Sequence, residues 1–146
     1  MTDIQIAQQV DLEGINNIRK EVRDDKKDPH TIKDFMLDDI LEKDYQTTII
    51  SKDQNCITGF LNIHKYHWND KKTVGIIELF VKGTHRGKGL GQELIKYIIQ
   101  YCRNTNKYNE ITLSVLNDNN AIDLYTKCGF IITKKDTDCI WMLLKI

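Results

Sequence analysis

One stretch constrains this chain more than any other: V-G-I-I-E-L-F-V-K-G-T-H-R-G-K-G-L-G-Q-E-L, from Val74 to Leu94. An apolar run rich in β-branched residues, Val74 to Val81, leads into a glycine-punctuated loop. Apolar residues at helical spacing follow, so the stretch reads as strand, loop and helix. Gly87, Gly89 and Gly91 lack a Cβ, which lets the backbone turn sharply and bring its N–H groups close to a bulky anion. A helix opening near Leu90 aims its unpaired N–H groups and positive dipole end at the same spot. Local physics therefore predicts a phosphate site.

Spacing decides which kind. A P-loop needs four residues between its first glycine and a Gly-Lys pair, yet Gly83 and Gly87 enclose three, and Gly89 stands where the metal-binding Ser or Thr belongs. A dinucleotide fingerprint needs G-x-G-x-x-G early in a series of βαβ units, and Gly87-Lys88-Gly89-Leu90-Gly91 comes late with too few units downstream. The pattern that fits is Arg/Gln-x-x-Gly-x-Gly/Ala, met by Arg86, Gly89 and Gly91. It resembles the acetyl-CoA pyrophosphate loop of the GNAT N-acetyltransferase superfamily. Downstream, Ala121-Ile122-Asp123-Leu124-Tyr125-Thr126-Lys127-Cys128-Gly129-Phe130 resembles that family's A-x-x-L-Y-x-x-x-G-F block. Together the two signatures span roughly the C-terminal half of the chain. Taken alone, the glycine loop has a plain alternative as a flexible strand-to-helix connection.

The 146 residues make one ordinary domain, 1–146, long enough to bury a core without disulfides or metals. Lys plus Arg equals Asp plus Glu at 21 each, which leaves no basic field for nucleic acid and no polybasic tail for a membrane. Cys56, Cys102, Cys128 and Cys139 are scattered without C-x-x-C and read as small buried hydrophobes in a reducing compartment. With no signal-like N-terminus and no apolar span, the chain is expected to be soluble and cytoplasmic.

Along the chain, Ile4 and Ile6 mark a first strand. Asp11 is the expected N-cap of a helix with Leu12, Ile15, Ile18 and Val22 inward. The charged, proline-containing segment from Arg23 to His30 reads as a loop. A second helix is expected to start at Thr31, with Ile32, Phe35, Met36 and Ile40 inward and Asp34, Asp38 and Glu42, near Asp39, outward. Thr47 to Ser51 and Cys56 to Tyr66 read as a hairpin around Lys52-Asp53-Gln54-Asn55. His64, Tyr66, His67 and Trp68 then either wall a pocket or shield the hairpin's end. The two histidines lack a third ligand, so no metal is expected. Leu90, Leu94, Ile95, Ile98, Ile99 and Cys102 share one helix face. Ile111 to Val115 is a strand, a short helix ends with Gly129 at its C′ position, and a last hairpin turns around residues 135–138. The resulting order β, α, α, β, β, β, α, β, α, β, β matches an α/β (α+β) fold. The resemblance implies the same layout, a mixed, mostly antiparallel sheet of about seven strands with about four helices on both faces.

Moving an acetyl group from a thioester to an amine needs an uncharged nitrogen, a polarised carbonyl and a proton for the thiolate. Glu78 offers a carboxylate within an apolar, central strand. The resemblance implies that it deprotonates the amine, commonly through water, and that Tyr125 protonates or hydrogen-bonds the coenzyme sulfur. Surface and packing roles are the plain alternatives for both. Main-chain groups of Leu79, Phe80 and Val81 offer hydrogen bonds along a pantetheine arm, and residues Arg86, Gly87, Lys88, Gly89, Leu90 and Gly91 wrap the diphosphate. Relatives place a coenzyme-contacting asparagine before the Ala121 helix. Counting back from Tyr125 gives Asp118 and forward from Val115 gives Asn119, so the loop is one residue short and Asn119 is the choice. Relatives that acetylate ribosomal-protein N-termini tend to carry glutamate where Ser114 stands, which disfavours that substrate class.

The reading is thus an acetyl-CoA-dependent, metal-free N-acetyltransferase acting in a ternary complex. The outward carboxylates of the second helix hint at a small cationic amine as acceptor, or they are simply its solvated face. A peptide acetyltransferase and a non-catalytic acetyl-CoA sensor are the rivals. Relatives are often homodimers.

Overall fold

The computed structural model describes residues 2–26, 32–66, 72–117, 119 and 121–146. Seven strands form one sheet: β1 (Asp3–Ile6), β2 (Gln46–Asp53), β3 (Cys56–Tyr66), β4 (Thr73–Val81), β5 (Glu110–Leu116), β6 (Ile131–Lys135) and β7 (Cys139–Lys145). Their spatial order is β1-β2-β3-β4-β5-β7-β6. Every neighbouring pair is antiparallel except β4 and β5. Helices α1 (Leu12–Lys26), α2 (Leu37–Ile40), α3 (Leu90–Thr105) and α4 (Ala121–Lys127) complete the expected order. None of the described helices is long and apolar enough to cross a membrane.

The sheet divides two cores. On one side α3 buries Leu90, Leu94, Ile95, Ile98, Ile99 and Cys102, the face that helical spacing predicts, against Leu61, Ile63, Val74 and Ile111. Each fully buried Leu or Ile contributes roughly 1.5–3 kcal/mol relative to exposure, enough to fix that helix. On the other side Ile15, Ile18 and Val22 of α1 pack with Ile50, Phe60, Ile32 and Ile40.

Five local expectations are corrected. The expected N-cap, Asp11, ends a 3-10 turn, Gln9–Asp11, and its carboxylate accepts from the Gln8 N–H (2.8 Å) and pairs with Lys52 (2.9 Å). The second helix is only the four residues of α2; Thr31 lies outside the described residues, and residues 32–36 are not helical. Side chains of α1 explain this, because they take the polar groups that a helix would pair internally. Asn16 bonds both the N–H (2.7 Å) and the C=O (3.0 Å) of Phe35, Arg19 takes the Lys33 carbonyl, and Arg23 takes that of Ile32. Met36, expected inward, is consequently 74% exposed. In the β2–β3 hairpin the strands run through Lys52 and Asp53, so the turn shrinks to Gln54 and Asn55, both at positive φ. Cys56, expected buried, is exposed beside that turn.

β4 holds the feature that positions the site. Opposite β3, Asn62 pairs with Glu78 and Ile63 with Ile76, which leaves Ile77 as an extra, bulged residue. Side chains alternate along a strand, so one inserted residue reverses the faces of all that follow. Before the bulge Val74 and Ile76 face the α3 core; after it Leu79 and Val81 do. Glu78 and Phe80 are thereby turned toward α1, where Phe80 packs edge-on against Phe60 at 5.5 Å.

Candidate active site

β4 and β5 stay hydrogen-bonded for three registered pairs, from Thr73↔Glu110 to Gly75↔Thr112. Beyond them β5 follows β7 while β4 follows β3, so the two strands splay. The wedge between them is a cleft of about 850 Å³, lined by residues 76–81 of β4 and 113–116 of β5, with Val22 and Asp25 of α1, Arg86, Asn119, Ala121 and Tyr125 around it. A parallel strand that loses its neighbour leaves half of its N–H and C=O groups without ladder partners. Leu79, Phe80 and Val81, the residues singled out from the sequence, lie on β4 beyond its last registered pair with β5.

The glycine loop leaves the end of β4 through a 3-10 turn, Gly83–His85. Three hydrogen bonds fix its start: the Lys82 N–H donates to Thr58 O (2.8 Å), the Gly83 N–H to Glu21 Oε1 (2.6 Å), and Arg86 Nε to Val81 O (3.0 Å). Arg86 Nη2 also lies 3.8 Å from Glu21 Oε1, while its side chain stays half exposed and lines the cleft. Gly87 and Gly89 sit at φ +77° and +78° with open space where a Cβ would be, so backbone conformation is their reason. Gly89 is the N-cap residue of α3, which leaves the N–H groups of the helix's first turn without intrahelical partners. Gly91 differs from the expectation that all three glycines serve anion approach. It lies inside α3, and a Cβ there would stand 3.0 Å from Leu124 Cδ2, so it permits close α3–α4 packing. Lys88 is exposed and Leu90 is buried as the helix anchor.

Both sequence-selected chemical groups line the cleft. Glu78 Oε2 lies 2.5 Å from Arg19 Nη1, in a pair whose side chains are 20% and 5% exposed. Tyr125 is 4% exposed and packs edge-on against Phe130 at 5.6 Å. Burial, with a smaller contribution from nearby Cys128, pushes the Tyr125 phenol above its ordinary value, so it holds its proton at neutral pH. Gly129, at φ +100°, ends α4 and turns Phe130 back under Tyr125, whose carbonyl accepts the Phe130 N–H at 3.1 Å. Asn119 also reaches the cleft, but its Oδ1 caps α4 by accepting the Ala121 N–H at 2.8 Å. Asp118, its rival, lies outside the described residues.

Other expectations do not meet here. His64 and Tyr66 pair with Gly75 and Thr73, at the closed end of the splay, and neither lines the cleft. Tyr66 instead covers Gly75, where a Cβ would meet its ring at 2.7 Å; His67 and Trp68 lie outside the described residues. The acidic face of the second helix also dissolves. Glu42 bonds Lys65 (2.6 Å) and Thr47 (2.8 Å), Asp39 caps the Met36 N–H, and Asp34 pairs with Arg23.

Sequence reasoning missed Arg19, Glu21, Asp25 and Asn62. Asn62, directly across from Glu78, is buried, and its Oδ1 has no hydrogen-bond partner among the described residues. Such an atom calls for a water or ligand donor. The spacing of Asn16, Arg19 and Arg23 places three polar side chains on one face of α1, but their partners are distant in sequence.

The sequence model of the Acetyltransferase (GNAT) family matches residues 12–130. No curated protein matches the chain. Among solved structures, a GNAT-family acetyltransferase from Streptococcus pneumoniae superposes with a TM-score of 0.82 at 19% identity, covering 100% of both chains. The PaiA N-acetyltransferase from Thermoplasma acidophilum, solved in complex with coenzyme A, gives 0.82 at 16% identity over 100% of this chain and 99% of that one. The ribosomal-protein-S18-alanine N-acetyltransferase from Escherichia coli gives 0.78 at 18%, over 100% and 94%. These likenesses show the shared fold, and the family match takes in the splayed strands, the glycine loop and the Leu124-Tyr125…Gly129-Phe130 block alike: the chain belongs to the GNAT family of acetyltransferases.

Proposed function

We propose that this chain is a single-domain, cytoplasmic, acetyl-CoA-dependent N-acetyltransferase that acts on a primary amine, by direct transfer and without a covalent enzyme intermediate. The observation that carries the reading is the splay of β4 from β5, with Arg86 lining the cleft beside the glycine loop and Glu78 and Tyr125 along its walls. An open strand edge within a cleft of about 850 Å³ suits an extended thioester arm. In this reading Arg86, Lys88 and the amides of Gly87, Gly89, Leu90 and Gly91 hold the diphosphate. Main-chain groups of Leu79, Phe80 and Val81 bond the pantetheine arm, one N–H polarising the thioester carbonyl, and Asn119 adds a side-chain contact.

The amine nitrogen attacks the carbonyl carbon; a C–N bond forms as the C–S bond breaks. The proton lost by nitrogen passes to Glu78, directly or through water, and the Tyr125 phenol gives its proton to the departing thiolate. The products are an amide and a free thiol. The carboxylates of Glu78 and Asp25 both line the cleft, which supports a small cationic acceptor.

Calorimetry with acetyl-CoA, followed by a thiol-release assay across free amines and peptides, tests this. Binding and turnover of small cationic amines are expected. Glu78→Gln and Tyr125→Phe should bind coenzyme normally and lose about 10²-fold or more in kcat. Turnover of peptides alone would replace the acceptor class, binding without any transfer would identify a sensor, and no binding heat would overturn the reading.

A further inference from the structure

α1 carries a row of polar side chains, Asn16, Arg19 and Arg23, at the i, i+3, i+7 spacing that aligns residues along one helix face. All three reach the same short strap, residues 32–35. Asn16 holds Phe35 through both its N–H and C=O, and Arg23 Nη1 donates to Ile32 O at 2.9 Å. Arg19 sits between them and does more. Its Nε donates to Lys33 O at 2.6 Å, its guanidinium lies 3.7 Å from the centroid of the Phe35 ring, and its Nη1 meets Glu78 Oε2 at 2.5 Å. The strap and β4 are thus joined through one buried side chain.

A guanidinium is planar and its donors are held in a fixed fork. Once Nε is committed to the strap, the direction from which Nη1 can approach Glu78 is set. Oε2 is then occupied, whereas Oε1 takes no bond among the described residues and belongs to a carboxylate that lines the cleft. The bulge at Ile77 brings Glu78 to this side of the sheet at all.

We propose, resting on the reading above in which Glu78 takes the acceptor's proton, that Arg19 is a positioning residue that fixes the Glu78 carboxylate with Oε1 toward the acceptor and couples that orientation to the 32–35 strap. A purely structural strut would have a different signature. If Arg19 works through Glu78, removing it matters only while Glu78 is present.

The test is a double-mutant cycle with Arg19→Gln, Glu78→Gln and both together, measured as initial rates over a range of acetyl-CoA concentrations at saturating amine. Arg19→Gln should lower kcat about tenfold or more while KM for acetyl-CoA stays within about twofold. In the Glu78→Gln background the same change should alter kcat by less than about twofold. Equal losses in both backgrounds would overturn the proposal. Arg19→Lys, which keeps the charge but not the fork, replaces Arg19→Gln in the cycle should the latter fail to fold, and it should recover only part of the rate. Amide hydrogen exchange gives an arm independent of activity: the Phe35 N–H should exchange faster in Glu78→Gln than in the wild type, and unchanged exchange would refute the coupling. A wild type that turns over no amine would sink the functional reading, while the exchange arm would still decide whether Arg19 links Glu78 to the strap.

Discussion

Two glycines four residues apart in one loop-to-helix stretch have opposite reasons for being glycine. Gly87 has positive φ and empty space around its missing Cβ, whereas Gly91 has helical backbone and a crowded one. Gly87→Ala and Gly89→Ala should each lose about 1 kcal/mol in denaturant unfolding, because alanine resists positive φ. Gly91→Val should instead fail sterically against Leu124, loosening α4 and with it Tyr125. Its signature is a loss of rate greater than either alanine variant causes at equal stability. At the same scale the thiols separate by environment. Burial pushes Cys102 up to about 12, with Lys65 opposing, while Cys56 is exposed. A thiol reagent at neutral pH should label Cys56 first and leave Cys102 until the chain unfolds.

At the scale of elements, the site depends on where strands part and which face they present. Deleting Ile77 would remove the bulge and reverse the faces before or after it, swapping Glu78 and Phe80 with the aliphatic residues of the α3 side. An unpaired carboxylate in that core is not tolerated, so the deletion should give no cooperatively folding protein by circular dichroism. Ile77→Ala keeps the backbone and removes a side chain that is 43% exposed, so it should fold. Glu21 is the corresponding tie for the loop, clamping the Gly83 N–H from α1. Glu21→Ala should weaken acetyl-CoA binding severalfold in calorimetry with kcat nearly unchanged, since a loosened loop costs binding and not chemistry. None of this was readable locally. Strand, loop and helix were legible because their signals are periodic, but a bulge is a property of two strands in register.

For the whole molecule, the shifted groups of the interior share one sign. Burial raises Cys102, Cys128, Tyr108 and Tyr125. For Lys65 burial acts the other way, but hydrogen bonds to Glu42 and Tyr101 outweigh it and leave the ammonium raised as well. A raised folded value means that the native state holds protons the unfolded chain has released. The associated stability is full below the ordinary values, which begin at 9.0 for cysteine, and is lost as pH rises through the folded ones. Thermal midpoints should therefore fall steadily above about pH 9, and a flat profile from there to about pH 12 would contradict the burial of these groups. The second helix shows the limit of reading locally: Ile32, Phe35 and Ile40 have helical spacing, yet Asn16, Arg19 and Arg23 take the polar groups of residues 32–35, and only Leu37–Ile40 is helical. By itself the sequence determined the succession of strands and helices, the glycine turn at the head of α3 and the chemical groups Glu78 and Tyr125, because spacing and residue type act within a few positions. Only the tertiary structure decided that β4 leaves β5 after Gly75, that Glu78 faces α1, and that Arg19, far away in the chain, holds its carboxylate. Register and burial are set by contacts between distant segments, and no local pattern encodes them.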